Sequence, residues 1–140
     1  MRKQMVLLFA ILFFVAGSVH AQSANRLKVD IPFDFVIGSI AFNAGTYTIK
    51  PMGIGGDAVL FGSSDLKEVT VIPVWTRAVD QAEPDSELVF QACGDRYSLW
   101  QIWTKNSREV TEFYIAYSHT QDASVAQPSI VTINASLMRP

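Results

Sequence analysis

Residues 87–104 read ELVFQACGDRYSLWQIWT, and this stretch decides the fold class. Two runs rich in β-branched and aromatic residues flank Gly94–Asp95, and a Gly-X pair is typical of a two-residue type II′ turn. The stretch therefore predicts a β-hairpin in which Phe90 lies opposite Leu99.

This register gives the hairpin an apolar face, predicted to be buried, and a mixed face. The apolar face carries Leu88, Phe90, Ala92, Tyr97, Leu99 and Trp103, with Gln101 as its polar member. The mixed face carries Glu87, Val89, Gln91, Cys93, Arg96, Ser98, Trp100 and Ile102.

A shallow ligand-binding surface is predicted on the mixed face, formed by Trp100 with Gln91, Arg96 and Ser98. An exposed indole offers a flat platform for a sugar or another apolar ligand, and polar neighbours orient that ligand. The alternative is that Trp100 packs in the core or under a loop, because buried aromatic residues are common. The other two tryptophans, Trp75 and Trp103, are predicted to belong to the core.

Strand patterning continues through the rest of the chain. From Val29 to Ile37 the apolar residues fall on odd positions, which predicts a half-buried strand. Pro32 cannot donate to a ladder, so this strand is expected at an edge or with a bulge. Turn signals recur about every ten residues, so we expect a mainly β protein. The expected architecture is a single antiparallel β-sandwich or small β-barrel of about seven to nine strands.

Residues 107–118 are compatible with both a helix and a strand. Val110, Phe113, Tyr114 and Tyr117 have the spacing of one helix face, and Asn106 with Glu109 matches a capping box. The aromatic and β-branched content equally favours a strand. Because the helical spacing is complete, one short helix near 107–118 is the prediction.

The N-terminus predicts export. Arg2 and Lys3 precede an uncharged apolar run from Met5 to Ala16, and small and polar residues then lead to Ala21. This is the pattern of a cleaved secretory signal peptide, and the run is shorter than the roughly 20 residues that span a bilayer. We therefore expect a signal peptide at 1–21 and a single β domain at 22–140, periplasmic or extracellular.

Charge and cysteine content limit the partners. Nine basic and thirteen acidic side chains follow Ala21, a formal net charge of −4 without basic clustering. No nucleic-acid partner is therefore predicted, and no transmembrane segment after cleavage. The single cysteine, Cys93, excludes an internal disulfide, and an intermolecular disulfide through it is a prediction.

Three segments together resemble a known group of sequences. VDIPFDFVIG (29–38), NAGTYTIKP (43–51) and CGDRYSLWQIWT (93–104) are similar to an uncharacterised family of small exported bacterial proteins, abundant in acidobacterial genomes. Its members share (I/V)-P-F-x-F, then A-G-x-Y-x-(I/V), then a hairpin ending L-x-x-(I/V)-W. The C-terminal third, with REVTEFYIAYSH at 108–119, departs from the family's more basic helical stretch. The resemblance implies export and a compact β domain, and it implies no activity.

The sequence offers few candidate residues for catalysis or metal binding. Cys93 and His119 would be the only Cys–His pair after cleavage, and one cysteine and one histidine do not make a zinc site. Asp30 and Asp34, about 13 Å apart along one strand, are too far apart for a glycosidase pair and are expected to be solvated charges. No catalytic residue, metal site or cofactor is predicted.

The leading hypothesis is therefore a non-enzymatic exported β domain, a binding or structural module of the cell envelope or extracellular space. A carbohydrate or an envelope protein is its candidate partner. One alternative is an envelope hydrolase that uses carboxylates on neighbouring strands. A second alternative is a small outer-membrane β-barrel, since alternating strands and export fit that class.

Overall fold

A computed structural model describes residues 26–53, 55–65, 67–115 and 128–138. The predicted signal peptide at 1–21 lies outside the described residues, and so does the part of the candidate helix beyond residue 115. Among the described residues, no helix is long and apolar enough to cross a membrane.

The described residues form eleven β-strands, so the predicted mainly β class is confirmed and the predicted count of seven to nine is too low. The strands are β1 (Arg26–Ile31), β2 (Phe35–Ile37), β3 (Ile40–Phe42), β4 (Gly45–Met52), β5 (Ala58–Ser63), β6 (Val69–Pro73), β7 (Trp75–Ala78), β8 (Ser86–Cys93), β9 (Arg96–Trp103), β10 (Glu109–Glu112) and β11 (Ser129–Met138).

All eleven strands belong to one curled sheet that forms a half-barrel. Its order is β3-β2-β9-β8-β11-β1-β4-β5-β6, and β10 pairs with both β9 and β7. The paired strands are antiparallel except β2 and β9, which meet in parallel at Val36 and Ser98. Curling gives the sheet a concave interior, which is where its apolar faces are buried.

Val74 is the corner at which the chain passes from one end of the sheet to the other. Its amide donates to the carbonyl of Asp57 next to β5, at 2.9 Å, while the following residue, Trp75, already pairs with Glu112 of β10. Pro73 ends β6 because it has no amide hydrogen to donate. The buried Val74 side chain anchors this corner in the core.

The core fills one end of the half-barrel with aromatic rings. Phe61 is fully buried, and the rings of Phe35, Phe42 and Tyr47 lie 5.8, 5.1 and 5.0 Å from it between centroids. Phe90 joins the same cluster, 5.7 Å from Phe35. Because aromatic side chains bury large areas, this cluster is the main source of hydrophobic stabilisation at that end.

The predicted continuous strand from Val29 to Ile37 is two strands. The odd-numbered residues do face inward, as expected, but the ladder of β1 ends at Ile31, immediately before Pro32. The expectation of an edge strand or a bulge is wrong, since β1 pairs with β11 on one side and β4 on the other, and both registers are continuous. Proline costs no ladder bond here because it follows the last strand residue.

The hairpin at Gly94–Asp95 is confirmed as a two-residue turn, with Cys93 opposite Arg96 and Gly94 at a φ of 59°. The two predicted faces hold only as far as Leu99. A bulge follows, in which Trp100 and Gln101 both stand against Val89.

The bulge reverses the predicted faces beyond it. Ile102, expected outside, is buried in the core, and Trp103, expected inside, is outside it and only partly buried. The bulge lies where β9 changes partner, since Ser98 pairs with β2 whereas Gln101 pairs with β10. A hairpin pattern alone does not reveal such a change of partner.

The predicted helix near 107–118 is wrong over its described part. Residues 109–112 form β10, and 113–115 are irregular. The segment fits between β7 and the outer edge of β9, where it pairs with both strands. Two ladders satisfy its backbone polar groups, which a helix would satisfy internally, so the tertiary context overrides the helical spacing.

Candidate functional site

A cavity of about 990 Å³ opens at the end of the half-barrel opposite the aromatic cluster. Its floor is apolar and is formed by side chains from five strands: Leu27, Ile49, Val59, Ile102 and Leu137. The ladders place Leu27 directly opposite both Leu137 and Ile49, and Val59 opposite Pro51, which also lines the cavity. The volume is in the range of about 300–1,000 Å³ that small-molecule sites occupy.

Polar residues line one side of the opening. They are Thr76, Thr104, Lys105, Asn106, Ser107, Glu109 and Thr111. Lys105 and Glu109 are both exposed, so one positive and one negative side chain lie at the rim. The rim can therefore meet the polar part of a ligand while the floor meets its apolar part.

The loop between β9 and β10 is held by hydrogen bonds that its backbone amides donate. The amide of Lys105 donates to Ser86 Oγ at 3.0 Å, and the amide of Asn106 donates to the carbonyl of Glu83 at 3.0 Å. Asn106 has a φ of 62°, a left-handed conformation that asparagine tolerates better than most residues. These contacts give this side of the rim a defined backbone position.

Glycines form the opposite side of the rim, in the loop between β4 and β5. Gly55 and Gly56 have φ values of 85° and 71°, which side chains of L-residues rarely adopt. Nothing lies within 4 Å of where a Cβ would stand on either residue. The two glycines therefore shape the loop and leave the opening wide.

The residues predicted to bind a ligand lie at the other end of the hairpin from the cavity. Gln91 and Ser98 are directly opposite each other, and Arg96 is exposed opposite Cys93. Trp100 is half-buried in the bulge. The structure thus brings the three polar residues together on one face, as predicted, and none of them lines the cavity described above.

Asp30 and Asp34 make structural hydrogen bonds, whereas Cys93 is open to solvent. Asp34 accepts a hydrogen bond from the amide of Ala44 at 2.8 Å, and Asp30 accepts one from Thr46 Oγ1, so both tie β1 and its loop to the start of β4. Cys93 is exposed and free, which leaves its thiol accessible for the predicted intermolecular disulfide.

The carboxylates that line the cavity can be compared with the pair that the hydrolase alternative requires. Among the described lining residues, Glu109 is the only carboxylate, whereas that alternative requires two acids across one cleft. No group of three or more metal-ligating side chains occurs within the described ranges.

A second polar assembly lies on the outer face of β7, β10 and β9, directly behind the cavity wall. Here the Glu112 carboxylate accepts hydrogen bonds from Trp75 Nε1 at 3.1 Å, Arg77 Nε at 2.8 Å and Gln101 Nε2 at 3.3 Å. Trp75 is 49% exposed, so its predicted core placement is wrong. The missed signal is the phase of the strand alternation. The buried residues Ile72 and Val74 have even numbers, so the odd-numbered Trp75 faces outward with Pro73 and Arg77.

The same assembly changes the acidity of Glu112. Burial by itself raises the pKa of this carboxyl, but hydrogen bonds from Arg77 and Trp75 and the charge of Arg77 outweigh it. The pKa therefore lies below its usual value of 4.5. The carboxylate form is favoured because every one of these donors points at it.

This depressed pKa predicts a pH-dependent stability. The ionised Glu112 carboxylate contributes to the free energy of unfolding. This contribution is fully present above about pH 4.5 and is lost as the pH falls through the folded-state pKa of Glu112. We expect Glu112→Gln to lower stability at pH 7 and to narrow the gap to wild type at lower pH, as read from urea unfolding at pH 7, 5 and 3.5. Arg77→Met should show a smaller gap of the same sign. A gap that stays constant with pH would contradict the assignment.

Comparison with known proteins adds no relative. No family model, curated protein or solved structure matches this chain.

Proposed function

We propose that this protein is an exported, non-enzymatic binding domain that takes a small ligand, apolar with one polar end, into the cavity of the half-barrel. The observation that carries the proposal is the cavity itself, about 990 Å³ with an apolar floor and a polar rim. The mouths of β-barrels are frequent sites for such ligands. The signal-peptide pattern at 1–21 supports the exported location.

The chemistry of the lining favours binding over catalysis. Catalytic acids and bases usually lie in partly buried sites beside close charged neighbours. The charged rim residues, Lys105 and Glu109, are both exposed. Leu27 and Ile102 are already buried, so an apolar chain that lies over them would gain chiefly from its own surface, about 25 cal/mol for each Å² removed from water. This gain is available without any reacting group.

A fluorescent fatty acid tests the proposal. We expect cis-parinaric acid to bind the purified protein saturably at one site, to be displaced by laurate, and to raise the melting temperature because it binds the folded state. Thr76→Trp places an indole at the cavity rim and should weaken binding at least tenfold. The matched control is Thr132→Trp, the same substitution at an exposed residue of β11 opposite Val89, and it should bind like wild type.

Two results would contradict the proposal. One is the lack of saturable binding, or equal binding by the two tryptophan variants when circular dichroism shows both folded. The other concerns catalysis: hydrolysis of a glycoside or ester panel by the wild type, lost in Glu109→Gln, would refute the non-enzymatic role.

A further inference from the structure

The outer face of β7, β10 and β9 carries side chains that share two rows across the sheet. One row is Trp75, Glu112 and Gln101; the next is Arg77, Val110 and Trp103. The row between them, Thr76, Thr111 and Ile102, points the other way and lines the cavity. The surface made by the first two rows, here called the Trp75 surface, is therefore separate from the proposed ligand cavity.

Hydrogen bonds hold both indoles of the Trp75 surface in place. Trp75 Nε1 donates to Glu112 Oε2 at 3.1 Å, and Trp103 Nε1 donates to Gln101 Oε1 at 3.1 Å. Gln101 in turn donates to Glu112 Oε1 at 3.3 Å, so the two indoles belong to one connected network. A ligand that stacks on these rings would not have to immobilise them, which lowers the entropic cost of binding.

The need to cover a buried side chain accounts for the position of Trp103 but not for that of Trp75. Val110 is fully buried although it is on the outer face, and it lies directly between Trp103 and Arg77 in register. Those two side chains are therefore placed to cover it. Trp75 is in the other row, beside Glu112, and remains 49% exposed. Its indole N–H is already bonded inward, so its apolar surface is what faces solvent.

The charge balance of this surface indicates the chemical class of its ligand. Arg77 Nε is 2.8 Å from Glu112 Oε1, so the two charges offset each other. The Arg77 side chain is 53% exposed and retains donors beyond Nε. An ionic ligand would compete with this pair, and a wholly apolar ligand would bury it without hydrogen bonds at a cost. A sugar ring has an apolar face for the indole and hydroxyl groups for Arg77, so it satisfies both.

We propose that the Trp75 surface binds an uncharged oligosaccharide, with Trp75 as the stacking platform and Arg77 as the hydrogen-bonding partner. Trp75 and Trp103 are two strands apart and two residues apart in register, about 12 Å between Cα atoms from standard sheet dimensions. This span suits a chain of linked sugar rings better than a single ring. The binding is independent of the cavity, whose lining is on the opposite face of the same strands.

Titration with soluble glycans tests this site. The probes are cello-, xylo-, manno- and chito-oligosaccharides, followed by tryptophan fluorescence and by affinity electrophoresis in the matching polysaccharides. We expect at least one series to bind saturably and Trp75→Ala to weaken it at least tenfold, since tryptophans at the centre of interfaces often dominate binding. Trp75→Phe keeps a flat ring and should retain part of the affinity.

The controls separate this site from general surface effects and from the cavity. Ile130→Ala removes another exposed apolar side chain, on β11, and should leave glycan binding unchanged. Trp75→Ala should leave the binding of cis-parinaric acid unchanged, so that failure of either site is visible separately. Lack of glycan binding by the wild type, or binding that Trp75→Ala leaves intact, would overturn the proposal.

Discussion

Replacing Phe61 with alanine is expected to lower the free energy of unfolding by about 3–5 kcal/mol, the range for deleting a large buried aromatic side chain. Phe61 is fully buried, and three aromatic rings lie within 5.8 Å of its centroid. The deletion leaves a cavity between rings that belong to different strands and cannot close over it easily. Because domains are stable by about 5–15 kcal/mol in total, the loss should be plain in urea unfolding.

Two further substitutions serve as comparisons for the Phe61→Ala measurement. Val71→Ala removes methyl groups on the neighbouring strand β6, where the side chain is 56% exposed, and it should change stability by no more than about 0.5 kcal/mol. Phe61→Leu keeps most of the volume, so it should cost less than the alanine variant and provides a measurable value if Phe61→Ala does not fold. Equal stability of Phe61→Ala and Val71→Ala would show that Phe61 is not a core residue.

Gly62→Ala is expected to be the second most damaging change, at about 1–3 kcal/mol, because it overpacks a buried strand position. A Cβ on Gly62 would overlap the backbone carbonyl oxygen of Glu68 and would come within 2.7 Å of Val69 Cγ1. A carbonyl oxygen cannot rotate away like a flexible side chain. The β5–β6 connection, held by the hydrogen bond from the amide of Ser63 to the same carbonyl, would have to shift.

Gly45→Ala is the matched control for this prediction. Gly45 begins β4, and a Cβ there would meet only Tyr47 Cε2, at an ordinary contact distance of 3.9 Å. Reduced freedom of the unfolded chain should make this variant as stable as wild type or slightly more stable. Thermal melts of the two variants compare them directly, and a Gly62→Ala protein that melts with Gly45→Ala would show that β6 packs less closely on β5.

The cavity and the Trp75 surface use the two faces of the same three strands. Thr76 and Thr111 point into the cavity, whereas Trp75 and Glu112, one residue along, point outward. Strand alternation makes this possible, because successive side chains lie on opposite faces. The two proposed ligands, an apolar chain and a glycan, would thus bind back to back without sharing a side chain.

Near the hairpin turn, the local sequence pattern predicts both the turn and the strand register. The turn at Gly94–Asp95 and the register of Phe90 against Leu99 follow from the residues themselves, since glycine at the first turn position and alternating apolar residues specify both. The alternation that begins at Val29 likewise predicted the burial of Val29 and Ile31 on one face of β1. In these places the local preference and the tertiary fold agree.

The candidate sites were less accessible to such reasoning. The predicted platform at Trp100 lies in a bulge, and Trp75, expected in the core, is exposed next to Glu112. Residue 75 follows the corner at Val74, where the ladder of β6 with β5 ends and the ladder of β7 with β10 begins. The alternation that buries Ile72 and Val74 continues to residue 75 and turns its side chain outward, so phase was the available signal. The hydrogen bond from Trp75 to Glu112, in contrast, depends on a strand distant in sequence.

By itself the sequence determined the mainly β class, the central hairpin and the alternation that places one face of each strand in the core, because these depend on neighbours within a few residues. Only the tertiary structure decided that 109–112 is a strand, that β2 joins β9 in parallel, and that an apolar cavity remains at one end. Each of these depends on pairing between segments far apart in the chain. Such pairings are selected by the packing of the whole sheet, so local propensity does not reveal them.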